Sequence, residues 1–144
     1  MIEPIDGHDG PYAAPIVQPS RQVPQEWIDY NGHMNVGYYT FAFDTAIDSF
    51  LADEIGIGPG YAARLKMGPY SLQNNLHYLG ELLEAAIFHV QVRVIDQDAK
   101  RLHVFMEMIA DADGSVAATA EQLLMNVDLV TRRSTPYPDR KSVV

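Results

Sequence analysis

The chain has 144 residues, 47% hydrophobic and 20% charged, which supplies enough apolar material for one packed domain and argues against disorder. A net charge of −9 argues against a nucleic-acid binder, because that binding rests on Lys and Arg neutralising phosphates. There is no cysteine for disulfide or thiolate chemistry, and no apolar run approaches the roughly 20 residues of a membrane span, so a cytoplasmic protein without membrane contact is expected.

Residues 1–14 are rich in Gly, Pro and Asp, have no apolar signal core, and read as a loose N-terminal arm. A single domain is expected over residues 15–131, followed by a short polar tail over 132–144. "IVQPSRQV" (Ile16 to Val23) reads as a first strand that Pro19 marks as an edge or a bulge. Beyond Asn35, the residues Tyr39, Phe43, Ala46, Ile47, Phe50 and Leu51 recur on one face of a helix, while Thr40, Asp44 and Asp48 point elsewhere. Asn35 suits the N-cap, and "GIGPG" (Gly56 to Gly60) ends the helix.

The period then changes to two. "YSLQNNLHY" alternates from Tyr70, and "AIFHVQVRVID" sets Phe88, Val90, Val92 and Val94 against His89, Gln91 and Arg93. "KRLHVFMEMIA" and "VAATAEQLLMNVDLV" follow, parted by the turns "DQDAK" and "DADG". The order is strand, long helix, then four strands in meander. One long apolar helix buries its stripe when an antiparallel sheet curls around it, so the fold class is α+β, a five-stranded antiparallel sheet wrapped around one central helix. Open edges and an uncovered outer face point to a homodimer or a tetramer.

The chemistry concentrates in "WIDYNGHMNVGYY" (Trp27 to Tyr39). Asp29 and His33 bracket a turn at Gly32, and Asn35 caps a helix whose first free N–H groups belong to Val36 and Gly37. Unpaired donors and partial positive charge at a helix start suit an oxyanion. A carboxylate nearby completes two parts of an acyl-transfer site: Asp29 attacks a carbonyl or activates a water, and the Val36 N–H holds the developing charge. Gly37 leaves room for a ligand. The alternative is a surface turn with a good cap.

The pattern Asp29, Gly32, His33, Asn35 and Tyr39, with an aromatic helix and four strands after it, resembles the hotdog-fold acyl-CoA thioesterases of the 4-hydroxybenzoyl-CoA thioesterase type. Their pattern is D-x-x-G-H-x-N-N-x-x-Y, and here Val36 replaces the second Asn. The resemblance implies that Asp29 is the catalytic carboxylate, the Val36 N–H the oxyanion donor, and the active site a feature of two subunits. "DAKRLHVFMEM", "AATAEQLLMNVD" and "TRRSTPYP" resemble the betainyl-CoA thioesterases of carnitine breakdown. That subgroup implies His at 106 and 126 and a Gly-Asp pair near 85, where this chain has Met106, Asn126 and Ala85-Ala86.

A trimethylammonium acyl group calls for aromatic faces, at about 0.5–2 kcal/mol per contact. Trp27 and Tyr30, outside the helical stripe, are the candidate pocket wall with Tyr39, while Phe43 and Phe50 read as core. His33 is placed either to orient the thioester or a water, or to bond backbone at the turn. His77 lies on a polar strand face as a candidate ligand contact; His89, His103 and Glu121 read as structural. Lys100, Arg101, Arg132 and Arg133 are candidates for gripping the coenzyme A phosphates. Coenzyme A enters as part of the substrate, no bound cofactor is expected, and the histidine spacing offers no metal site. Two rival functions share the fold. An enoyl-CoA hydratase or dehydratase would use D-x-N-P-x-H, which Gly32 and the early His33 break; a non-catalytic acyl-CoA-binding module would leave Asp29 dispensable.

Overall fold

The structure is a computed structural model and describes residues 14–137. Two short strands, β1 (Ile16–Val17) and β2 (Arg21–Gln22), precede the long helix α1 (Val36–Phe50) and the short helix α2 (Pro59–Leu65). Four long strands follow: β3 (Met67–Tyr78), β4 (Ile87–Gln97), β5 (Arg101–Ala110) and β6 (Val116–Asp128). All pairings are antiparallel, and β1 and β2 both pair with β4. Counted as one interrupted edge strand, they complete five lanes.

The helix forms where its stripe predicts. Tyr39, Ala42, Phe43, Ala46, Ile47 and Phe50 are buried, and Asn35 caps the start by accepting the Gly37 N–H at 2.9 Å. The facing layer comes from strict alternation: Phe88, Val90, Val92 and Val94 on β4, and Leu102, Val104, Met106 and Met108 on β5. Each such side chain contributes roughly 1.5–3 kcal/mol of burial. Register shifts between Ser71 and Gln73, between Val94 and Asp96 and between Met108 and Ile109 add local twist, which helps the sheet curl around the helix.

Four expectations change. The first strand is two pieces, because Pro19 offers no N–H to the ladder and the chain leaves it at residues 19–20, after a last bond from the Gln18 N–H to the Val90 carbonyl. The long helix ends at Gly56, at φ 90°, as expected, but its last turn (Leu51–Ile55) is of the wider π type, and a second short helix, α2, which was not expected, follows with Pro59 in its first turn. The meander covers only β4, β5 and β6; β3 crosses to the far edge and pairs with β6. Alternation identifies strands but not their neighbours.

Residues 134–137 of the expected polar tail pack back onto the domain. Ser134 bridges to Val127, the Tyr137 N–H donates to the Ala99 carbonyl at 2.8 Å, and the Tyr137 ring is buried. The arm over residues 1–13 and the tail beyond 137 lie outside the described residues. Among the described residues no helix is long and apolar enough to cross a membrane.

Candidate active site

The loop before α1 is a clamped excursion. Ile28 and Met34 form a bridge, the Asn35 N–H donates to the Trp27 carbonyl at 2.8 Å, and the Met34 N–H donates to the Leu82 carbonyl at 2.8 Å. Within it the Asp29 N–H donates to the His33 carbonyl at 3.1 Å, and the Gly32 N–H to the Asp29 carbonyl at 3.0 Å. Gly32 sits at φ 80°, a conformation that costs other residues a steric penalty. The half-buried Asp29 carboxylate accepts the Asn31 N–H through Oδ1 at 2.8 Å, and its Oδ2 has no partner among the described residues.

At the helix start the donors are divided. The Gly37 N–H goes to Asn35 Oδ1 and the Tyr38 N–H to the Asn35 carbonyl, both at 2.9 Å. That leaves the Val36 N–H without a partner among the described residues, so Gly37 is not a second free donor as expected. A Cβ on Gly37 would meet Asn35 Oδ1 at 3.4 Å, so the small residue protects the cap.

A cavity of about 390 Å³ opens there. His33, Met34, Val36 and Tyr39 line one side, and residues 78–81 (Tyr78, Leu79, Gly80, Glu81) the other. The Tyr39 hydroxyl donates to the Gly80 carbonyl at 3.1 Å, its ring meets Tyr78 edge-on, and burial pushes its pKa up, so it stays protonated. His33 Nδ1 lies 3.0 Å from the Met34 carbonyl, which fixes the proton there and leaves Nε2 to accept a bond.

A family model described as the thioesterase-like superfamily matches residues 23–141. This chain belongs to that superfamily. It is 32% identical over 112 residues to the betainyl-CoA thioesterase of Pseudomonas aeruginosa, covering 78% of this chain and 70% of that one. It is 33% identical over 132 residues to the L-carnitine dehydrogenase/betainyl-CoA thioesterase of Ruegeria pomeroyi, covering 87% of this chain but only 25% of that longer one. Protein SAV2348 of Staphylococcus aureus, solved in complex with CoA, superposes with a TM-score of 0.83 at 28% identity, covering 94% of this chain and 82% of that one.

Against this superfamily member's cavity, the residues named from the sequence divide into two groups. His33, Val36 and Tyr39 line it, and Asn35 and Gly37 shape its helix start. Asp29, Trp27, Tyr30 and His77 are not among its lining residues in the single chain. Trp27 is buried, stacked on Tyr38 at 5.0 Å with the Arg21 guanidinium 5.1 Å from its ring centre, so its faces already have occupants. Tyr30 is 97% exposed on the loop. His77 is exposed beside Tyr78, and strand alternation turns it to the opposite face.

Lys100, Arg101, Arg132 and Arg133 cluster at the other end of the sheet. Arg101 pairs with Asp98 and Arg132 donates to the Tyr70 hydroxyl at 2.8 Å. The eight residues from Tyr70 to Tyr78 place them roughly 25 Å from the cavity within one chain. The departures at Met106 and Asn126 are both fully buried, Met106 in the hydrophobic core and Asn126 bonded to Tyr61 and the returning tail, and neither lines the cavity. Sequence reasoning missed residues 78–81, whose links to the helix, the Tyr39–Gly80 bond and the Tyr39–Tyr78 ring contact, join distant parts of the chain.

Proposed function

We propose that this chain hydrolyses acyl-CoA thioesters, betainyl-CoA in particular, at a site completed by a second copy of the chain. The observation that carries the reading is the unpaired Val36 N–H facing a cavity one loop away from the half-buried Asp29 carboxylate. A thioester with its carbonyl oxygen on that N–H has its carbon open to attack by Asp29 Oδ2, or by a water that Asp29 deprotonates. Negative charge collects on the carbonyl oxygen, where the helix start stabilises it. The C–S bond then breaks and the thiolate takes up a proton; on the water route the free acid departs at once, whereas direct attack leaves an acyl–Asp29 anhydride, which a water attacking the Asp29 carboxyl carbon splits to release the acid. His33 Nε2 is available to hold the water or the thioester. Direct attack passes label from H2(18)O into Asp29 over a single turnover, whereas base catalysis leaves the side chain unlabelled.

The names of the two betainyl-CoA relatives support the substrate. So does the lining, because Tyr39 and Tyr78 offer ring surface and Glu81 a carboxylate, a set that suits a quaternary ammonium. Tyr78 takes the role the sequence suggested for Trp27. The β3 edge supports the second copy: Ser71 to Asn75 are exposed throughout and pair only with β6. Antiparallel pairing of two such edges reverses their ends, which carries the partner's basic cluster toward this cavity and gives the phosphates of coenzyme A a partner.

Thiol release from a panel of esters tests this. Betainyl-CoA is expected to turn over about tenfold better than its uncharged isostere, 3,3-dimethylbutyryl-CoA, the scale of one to two cation–π contacts. Equal turnover removes the substrate assignment. Asp29→Asn is expected to lower thiol release by roughly 10³-fold with the fold intact by circular dichroism; wild-type turnover in that variant removes the hydrolytic reading.

A further inference from the structure

A second cavity, unrelated to the helix start, lies between the interrupted edge strand and the flank of α1. It measures about 170 Å³ and is walled by Pro19, Ala42, Ala46 and Val90, with Arg21, Gln18, Thr45 and Ser49 as its polar members. Its origin is legible: Pro19 takes the chain off the ladder after the Gln18 N–H bond to the Val90 carbonyl, and small side chains on that flank of α1 leave the resulting space unfilled.

Arg21 is the anomaly there. Its register partner is Phe88, fully buried, and the guanidinium lies inward with its carbon 5.9 Å from the Phe88 ring centre and 5.1 Å from that of Trp27. Nη1 is buried and has no hydrogen-bond acceptor, and among the described residues no carboxylate pairs with Arg21. A guanidinium cannot shed its proton to escape such a place. Ring faces compensate only part of the desolvation of a charge, and the remainder calls for an anion.

We propose that this cavity is a binding site for a small aliphatic carboxylate, held by the Arg21 guanidinium with its hydrocarbon part against Pro19, Ala42 and Val90. The planar fork of Arg21 matches a carboxylate, and the remaining walls are largely apolar. Gln18 and Ser49 supply the further polar contacts. The site stands on its own geometry, apart from the hydrolysis reading, although that reaction would release a ligand of this class.

Trp27 is the chain's only tryptophan, so its fluorescence reports on Arg21 directly. Titrating the full chain with isobutyrate is expected to give a saturable emission change and a rise in melting temperature with ligand concentration. The uncharged isobutyramide is expected to give neither. Arg21→Met keeps an unbranched apolar stem beside the rings but removes the charge and the fork, and is expected to abolish both responses; Arg21→Lys, with its charge but no fork, is expected to weaken binding at least tenfold. Asp29→Asn is expected to respond like the wild type, which separates this site from the catalytic one. Equal responses to acid and amide, or an undiminished response in Arg21→Met, overturn the proposal, as does the absence of any response in the folded wild type.

Discussion

The two ends of the sheet treat buried polar groups in opposite ways. At the end where β3 begins and β6 finishes, Asn126 is fully buried and well used: it accepts from the Tyr61 hydroxyl at 3.3 Å and donates to the carbonyls of Thr135 and Pro136 at 3.3 and 3.2 Å. At the start of α1, among the described residues, the N–H of the cavity-lining Val36 has no protein partner, and on the loop before it one oxygen of the half-buried Asp29 carboxylate has none either. Satisfied polarity holds a chain segment in place, whereas unsatisfied polarity at a cavity is available to a ligand. The first end is thus structural and the second is the site of the proposed hydrolysis, and each role can be tested separately.

The largest effect is expected at the helix start. Val36→Pro removes the proposed oxyanion donor and exchanges one apolar lining residue for another while leaving the helix in place, because proline is tolerated at the first helical position. The preceding residue must be extended, and Asn35 already is, at φ −61° and ψ 140°. Turnover should fall roughly 10²–10³-fold, the scale of losing one oxyanion donor, with thermal stability nearly unchanged. Retained turnover would show that the thioester oxygen is held elsewhere.

Next in size is the opposite experiment. Asn126→Ala removes the acceptor at 3.3 Å from the Tyr61 hydroxyl and the donor to two carbonyls, at a cost of about 2–3 kcal/mol in denaturant unfolding, while turnover per folded molecule should persist. Burial also pushes the Tyr61 pKa up to about 12, with the Asn126 bond opposing that shift, and pushes Tyr137 up as well. The unfolded chain deprotonates its tyrosines near pH 10, where folded Tyr61 keeps its proton, so stability is full below pH 10 and is lost between pH 10 and 12. Tyr61→Phe should flatten that alkaline loss. A pH-dependent loss that is identical in the variant would place the titration elsewhere.

What was legible in the sequence follows the same division. The stripe from Tyr39 to Phe50, the Asn35 cap, the alternation on β4 and the break at Pro19 are local signals, and the fold reproduces them. His33, Val36 and Tyr39 were legible for the same reason, since all three follow from the turn and the helix it starts. Three things were not. The second wall of the cavity arrives from the end of β3, forty residues on. The β3 pairing with β6 leaves no trace in a strand exposed on both faces from Ser71 to Asn75. Trp27 read as a pocket wall because its neighbours in sequence are catalytic in pattern, yet Arg21 and Tyr38 occupy its faces. The first two are long-range contacts, and the third joins residues on three different local elements, so no single periodicity encodes any of them.

The smallest expected effect concerns the connection that forms the cavity's second wall. Ala85 lies there in the left-handed region at φ 67°, held by its N–H on the Val23 carbonyl at 2.9 Å and by Gln22 Nε2 on its own carbonyl at 3.3 Å. That conformation costs an L-residue about 1–2 kcal/mol, whereas glycine adopts it freely but loses about 0.5–1 kcal/mol more conformational entropy on folding. Ala85→Gly should therefore stabilise the protein by about 0.5 kcal/mol, read as a higher denaturant midpoint at unchanged slope. Ala85 does not line the cavity, so turnover should not move. If turnover changes while stability does not, the connection positions residues 78–81 through its backbone, and the line between structural and chemical ends must be drawn closer to the sheet.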